Sequence, residues 1–67
     1  MTRKDYILLA NALRAAKREI SNKEPPELIS ELHDGVDYAR DFIMEALLHD
    51  NSWFDPDTFK LAIDGSN

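Results

Sequence analysis

Two histidines and thirteen acidic side chains are the residues of this chain that could bind a metal or transfer a proton. His33 is close to Asp34 and Asp37 in the sequence. His49 is followed by Asp50. Neither arrangement has a spacing with established metal geometry, and on one helix the two imidazoles would be about 24 Å apart. We therefore expect surface histidines, no metal site and no cofactor.

Covalent and acid–base catalysis have no recognisable arrangement either. The chain has no cysteine, its serines have no nucleophile motif around them, and its two glycines cannot form a Gly-rich phosphate loop. General acid–base catalysis by carboxylates needs a cleft that shifts their pKa values, and three short helices offer little concavity. We predict that the protein is not an enzyme.

A row of acidic residues in segment 26–49 is the pattern with the clearest functional content. Its members follow one another in steps of three and four, which places them on one face of an α-helix. This acidic stripe consists of Glu27, Glu31, Asp34, Tyr38, Asp41 and Glu45. One interpretation is a solvated outer face. The other is a row of carboxylates that imitates phosphates and occupies the basic groove of a nucleic-acid-binding protein, with Tyr38 as an anchor.

The opposite face of the same segment is apolar and indicates where this helix packs. The predicted seam consists of Ile29, Leu32, Val36, Ala39, Ile43 and Ala46, widened by Leu28, Phe42 and Leu47. Gly35 is its weak point, because an interior glycine costs about 1 kcal/mol relative to alanine and Asp-Gly is typical of turns. Since the seam keeps its register through Gly35, we favour one continuous helix over a break into two.

The N-terminal segment predicts a second amphipathic helix. Thr2 and Asp5 form a capping-box pattern that begins a helix over about 3–20. A short link joins it to the helix over about 26–49, so the two should form an antiparallel hairpin. The ion pairs expected across the hairpin join Arg14 and Lys17 to Glu27 and Glu31.

The C-terminal segment has the strongest local signals. Asp55 is a good N-cap and Pro56 a good first helical residue. Phe54 and Phe59 fit a hydrophobic staple around that helix start. We expect these aromatic residues, together with Trp53, to cover the open side of the hairpin.

Length and charge restrict the fold and its partners. The 67 residues predict a single domain, 1–67, with an all-α fold: an antiparallel helical hairpin closed by a short helix over about 56–63. No apolar run approaches the roughly 18 residues that span a bilayer, and the start does not resemble a signal peptide. We expect a soluble, cytoplasmic protein.

The net charge of −5 is unevenly distributed. Residues 1–23 carry six basic and two acidic side chains (+4), and residues 24–67 carry two basic and eleven acidic ones (−9). Either the two halves neutralise each other locally or the acidic half meets a basic partner. Direct binding to nucleic acid is not expected, because acidic residues near the basic helix repel phosphate.

Self-association is a further hypothesis. Four apolar residues are not readily buried by one small hairpin, and an exposed patch formed by them would favour a homodimer. They are Ile7, Leu8, Met44 and Leu48.

Both ends of the chain resemble those of small phage and prophage proteins that have no assigned activity. The start is Met1-Thr2-Arg3-Lys4-Asp5-Tyr6, and the later part contains Asp50-Asn51-Ser52-Trp53-Phe54-Asp55 with Phe59 and Leu61-Ala62. Ser52 and Lys60 depart from the usual ending, which has a proline after the asparagine and arginines in the final helix. The resemblance implies a phage origin and a bacterial cytoplasm, and it carries over no catalytic residue.

These patterns favour a non-catalytic, phage-type protein–protein interaction module that acts through a helical surface. Its partner is a protein, either a second copy or a host protein, and no membrane is involved. The alternative is an acidic inhibitor of a nucleic-acid-binding host protein, such as a defence nuclease complex. A DNA-binding regulator is disfavoured, because the sequence has no basic recognition helix.

Overall fold

The computed structural model describes residues 2–65, which contain three helices and no strand. The helices are α1 (Arg3–Lys23), α2 (Pro26–Asp50) and α3 (Pro56–Asp64). Helix α1 packs against both α2 and α3, which confirms the predicted hairpin closed by a short C-terminal helix. Within the described range, no helix has the length and apolarity that crossing a membrane requires.

Side chains at the helix ends explain where the helices begin and end. The hydroxyl of Thr2 accepts a hydrogen bond from the N–H of Asp5, and the Asp5 carboxylate accepts one from the N–H of Thr2, so the predicted capping box forms. The carboxylate of Asp55 caps the first turn of α3 by accepting hydrogen bonds from the N–H groups of Asp57 and Thr58. Gly65 ends α3 with a φ of 71°, a conformation that glycine adopts without steric cost.

Helix α2 continues through Gly35 without a break. Gly65 has the only positive φ among the described glycines, so Gly35 has an ordinary helical backbone. A Cβ atom at Gly35 would meet nothing within 4 Å. Nothing inside this fold therefore requires glycine at position 35.

The core lies where the N-terminal half of α1 meets the end of α2 and the whole of α3. The ring of Phe54 packs edge-on against Tyr6 and Phe59, with centroid distances of 5.0 and 5.4 Å. This arrangement confirms the hydrophobic staple predicted for Phe54 and Phe59. The buried apolar residues of the described range are Ala10, Met44, Leu47, Phe54, Phe59 and Ile63.

The aromatic lid predicted from the sequence is correct for Phe54 and wrong for Trp53. Phe54 is 6% exposed, whereas Trp53 is 91% exposed. Asn51 fixes this turn, because its side-chain oxygen accepts the N–H of Trp53 at 3.0 Å and its amide group donates to the Tyr6 hydroxyl at 3.1 Å. A turn held in this way directs Phe54 inward and leaves Trp53 in solvent.

A polar network joins the three helices beside the core. The Lys17 ammonium lies 2.8 Å from the Asp37 carboxylate on α2 and 3.5 Å from the Asp64 carboxylate on α3. The expected pairs of Arg14 and Lys17 with Glu27 and Glu31 are wrong. The register of the hairpin is the reason, since it places Lys17 opposite Asp37, several turns from the start of α2.

The buried face of α2 is rotated relative to the predicted seam. Ile29, Val36 and Ile43 are half-buried, but five other members of the predicted seam are exposed. Those five are Leu28, Leu32, Ala39, Phe42 and Ala46. The buried and half-buried side contains Leu47, as predicted, together with four residues outside the predicted seam: His33, Asp37, Arg40 and Met44. The polar residues on this face are satisfied there: His33 hydrogen-bonds to α1, Asp37 pairs with Lys17 of α1, and Arg40 pairs with Asp37 and Asp41 of α2 itself.

Candidate interaction surface on helix α2

Helix α2 has an exposed apolar face beside its buried face. Its residues follow one another in alternating steps of four and three, which is the spacing of a helix-docking seam. We call this set the outer apolar stripe: Leu28, Leu32, Gly35, Ala39, Phe42 and Ala46. Its large side chains are substantially exposed, at 42% for Leu28, 39% for Leu32 and 62% for Phe42. Every residue of this stripe is exposed in the fold.

Tyr38 connects the outer apolar stripe to the acidic stripe. Its ring packs edge-on against Phe42, with the centroids 5.2 Å apart and the planes at 81°. Tyr38 is nevertheless 58% exposed, so the pair presents aromatic surface to solvent. Aromatic residues with a polar tip are typical anchors of protein interfaces.

The acidic stripe is exposed along its whole length, as predicted. Its carboxylates are not equivalent, because the Asp41 carboxylate accepts hydrogen bonds from the Arg40 guanidinium at 2.9 and 3.2 Å. The other four acidic members form no salt bridge with any residue from 2 to 65. These unpaired carboxylates are Glu27, Glu31, Asp34 and Glu45.

Arg40 links the acidic stripe to the interhelical network. Its side chain is only 14% exposed, and its second contact is the Asp37 carboxylate at 3.3 Å. The pKa of Asp37 is lowered, chiefly by the hydrogen bond from Lys17, with the positive charges of Lys17 and Arg40 acting in the same direction. Asp37 is therefore a structural carboxylate that joins α2 to α1.

The two histidines contribute differently to the fold. The Nε2 atom of His33 lies 3.0 Å from the Lys17 carbonyl oxygen and 3.1 Å from the Ser21 hydroxyl. A carbonyl oxygen only accepts, so Nε2 carries the proton that bridges the hairpin. His49 is exposed at the end of α2. Among residues 2–65 no group of histidine and carboxylate side chains has the geometry to hold a metal ion.

An apolar groove that the sequence did not predict lies at the N-terminal end of α1. It has a volume of about 360 Å³ and is open to solvent. Its lining consists of Arg3, Tyr6, Ile7, Ala10, Trp53, Phe54, Asp55, Thr58, Phe59 and Ala62. The sequence signal that could have indicated this groove was the pair Trp53-Phe54. Only one of these two adjacent rings can enter so small a core, so the other is left beside it.

A second recess is polar and lies between α1, α2 and the end of α3. It has a volume of about 340 Å³ and is lined by Arg14, Lys17, Arg18, Ser21, His33, Ile63 and Asp64. The charge of Lys17 is already compensated by two carboxylates. The recess therefore carries less positive charge than its residue types indicate.

The four residues proposed for self-association do not all reach the surface. Ile7, Leu8 and Leu48 are exposed, at 49%, 68% and 39%. Met44 is 7% exposed and belongs to the core, so it cannot contribute to an interface. It is buried because it lies on the α1-facing side of α2, next to Leu47.

Comparison of the chain with protein-family models, with curated proteins and with solved structures gave no match. The functional meaning of the α2 surface therefore depends on the chemistry of its own residues. That chemistry is an uncovered apolar seam, one aromatic pair and four unpaired carboxylates on a single helix.

Proposed function

We propose that this chain is a non-catalytic protein–protein interaction module and that the outer surface of α2 binds its partner. The observation that carries the proposal is the outer apolar stripe with the adjoining Tyr38. Four large apolar side chains are exposed on this one side of α2, in a protein whose own core is small. Contiguous apolar patches on small proteins usually mark interaction sites.

The arrangement of polar groups supports the same function. Interfaces typically have an apolar centre with aromatic anchors and a polar rim. On α2 the centre is the outer apolar stripe, the anchors are Tyr38 and Phe42, and the acidic stripe forms one rim. A partner bound here would be oriented by charge as well as by apolar contact.

Affinity capture from a bacterial lysate with three immobilised baits tests this proposal. The baits are the wild-type chain, the double variant Tyr38→Ser/Phe42→Ser, and the control Trp53→Ser, which removes an even more exposed aromatic ring outside α2. We expect a protein that the wild-type and control baits retain and the double variant loses. Identical captured proteins with all three baits would show that the α2 surface is not the binding site.

Folding of the baits must be checked independently. Because Tyr38, Phe42 and Trp53 are all largely exposed, both variants should keep the helical circular dichroism spectrum of the wild type. Loss of helicity in the double variant would require the milder pair Tyr38→Phe and Phe42→Leu instead.

A second candidate function is inhibition of a nucleic-acid-binding protein by the acidic stripe. The observation that favours it is the row of unpaired carboxylates, which extends about 27 Å along α2 from Glu27 to Glu45. Reversal of the unpaired Glu31 and Glu45 to lysine should abolish such binding, and the wild-type affinity should fall steeply as salt is added. Binding that is insensitive to salt would exclude this mechanism.

The class of partner is also part of the proposal. The similarity of both chain ends to small phage proteins supports a phage-type protein in a bacterial cytoplasm, with a host protein as partner. A homodimer is the competing outcome, to which the exposed Ile7, Leu8 and Leu48 would contribute. Sedimentation equilibrium distinguishes the two, since a dimer has twice the chain mass of 7.7 kDa and should dissociate in Leu8→Glu.

A further inference from the structure

We infer that the occupant of the outer apolar stripe is a single α-helix of another protein, which crosses α2 at Gly35 and carries lysine or arginine along one flank. This inference rests on the proposed function, because it names the kind of partner for the same surface. It is carried by the spacing of the stripe, by the surroundings of Gly35 and by the charges that border the stripe.

The spacing of the outer apolar stripe matches the seam of a helix pair. Its residues occupy the alternating core positions of a heptad repeat over almost the full length of α2. A second helix laid along this seam can remain in contact from Leu28 to Ala46. A globular or irregular partner would not need apolar residues at every one of these positions.

Gly35 lies at the middle of the outer apolar stripe and has no role inside the fold. Its backbone is ordinary helix, and the space around its missing Cβ is empty. An interior glycine weakens a helix relative to alanine, so the fold alone disfavours this residue. Glycine is used where another backbone must approach closely, and a helix that crosses α2 at this point supplies that backbone.

The flanks of the outer apolar stripe differ in polarity. Glu31, Tyr38 and Glu45 border it on one side, each one residue before a core position. On the other side it is bordered by Ile29, Val36 and Ile43, which are half-buried in the fold. A docked helix therefore meets carboxylates along one edge only, and basic residues on that edge would form charge-complementary pairs with them.

A second copy of this chain fits the surface less well. An antiparallel copy would align the apolar residues but would also place Glu31 opposite Glu45 of its neighbour, at both ends of the interface. A parallel copy would place these carboxylates against the apolar flank. Each chain also carries a net charge of −5. Like-charge contacts of this kind act against a pairing.

Two synthetic helical peptides of about three heptads provide a direct test. Both have leucine and alanine at the core positions. One has lysine at the flanking positions and the other has glutamate. Fluorescence anisotropy of the labelled peptides should show that the lysine peptide binds at least tenfold more tightly than the glutamate peptide. Equal binding of both peptides would contradict the charge assignment.

Gly35→Leu tests the crossing point, with Ser30→Leu as a matched control on another exposed part of α2. Leucine is favourable within a helix, so both variants should fold. We expect Gly35→Leu to weaken binding of the lysine peptide at least tenfold and Ser30→Leu to leave it unchanged. Equal effects of the two substitutions would overturn the proposed crossing. A wild-type dimer in sedimentation equilibrium that Gly35→Leu dissociates would show that a second copy occupies the stripe.

Failure of this inference can be separated from failure of the proposed function. A lysate protein that depends on Tyr38 and Phe42 but still binds Gly35→Leu would retain the interaction function and exclude helix docking at Gly35. Peptide binding that depends on Gly35, combined with no lysate protein specific for the α2 surface, would support the docking geometry and count against the proposed function.

Discussion

Replacement of Gly35 by alanine should stabilise the isolated protein. The site is exposed, its backbone is ordinary helix, and the added Cβ would meet nothing within 4 Å. The change therefore introduces no clash and gains the full difference in helix propensity, about 1 kcal/mol. In a domain of this size a gain of that magnitude raises the melting temperature by about 4–8 °C.

Urea unfolding followed by circular dichroism at 222 nm measures this effect directly. The midpoint should move to higher urea with an unchanged slope, which indicates a change in stability without a change in the surface exposed on unfolding. Thermal unfolding gives the melting temperature on the same samples. Unchanged or reduced stability would refute the conclusion that Gly35 has no structural role in the monomer.

Gly65→Ala is the matched control, because the same substitution at that position should be destabilising. Gly65 has a φ of 71°, and an added Cβ would lie 2.9 Å from the guanidinium Nη2 of Arg14. The backbone strain acts against alanine there, whereas the contact can be relieved by a shift of the flexible Arg14 side chain. Opposite signs for the two glycines would show that local conformation, and not a general benefit of alanine, determines the result.

Two further predictions concern the core and its ion pairs. Trp53→Ala should change the free energy of unfolding by less than about 0.5 kcal/mol because the ring is exposed, whereas Phe54→Ala should cost about 3–5 kcal/mol because that ring is buried. Urea unfolding of the two variants measures both effects. A large loss of stability in Trp53→Ala would contradict the exposure of that ring. The pKa of Asp37 lies below its usual 3.8 because Lys17 donates a hydrogen bond to it. Its contribution to stability is therefore complete above about pH 4 and is lost as the pH falls through the lowered pKa. Acid should thus lower the free energy of unfolding of the wild type more than that of Asp37→Asn. Equal losses of unfolding free energy in the two proteins on acidification would refute this.

Helix positions and most helix ends follow from interactions within one or two turns, and the sequence alone was sufficient to predict them; the exception is the end of α1, which was predicted at about residue 20 and lies at Lys23. Thr2 with Asp5, Asp55 with the first turn of α3, and Gly65 with the last turn all act between neighbouring residues. The continuity of α2 through Gly35 was predicted for the same reason, since the apolar spacing on both sides of it has one register. The exposure of the acidic stripe was also predictable from the sequence, because a helix face made of carboxylates does not pack into an apolar core.

The pairings between helices required the tertiary structure. Lys17 was expected near the start of α2 and instead binds Asp37 and Asp64. Trp53 was expected inside and lies in solvent, because Asn51 binds Tyr6 and orients the turn. Both outcomes depend on the register of α1 against α2 and on the position of α3, neither of which local sequence encodes.

The candidate surface shows this division most clearly. The seam predicted for α2 was wide enough to contain two overlapping rows, one through Ile29 and Ile43 and the other, the outer apolar stripe, through Leu28 and Phe42. Their helical spacing is identical, so periodicity alone cannot tell which one is buried. In the folded protein His33 hydrogen-bonds to α1, Met44 and Leu47 lie in the core, and the outer apolar stripe is exposed. That the helix would be amphipathic was determined by the order of its residues, whereas the face left exposed was decided by contacts between residues far apart in the chain.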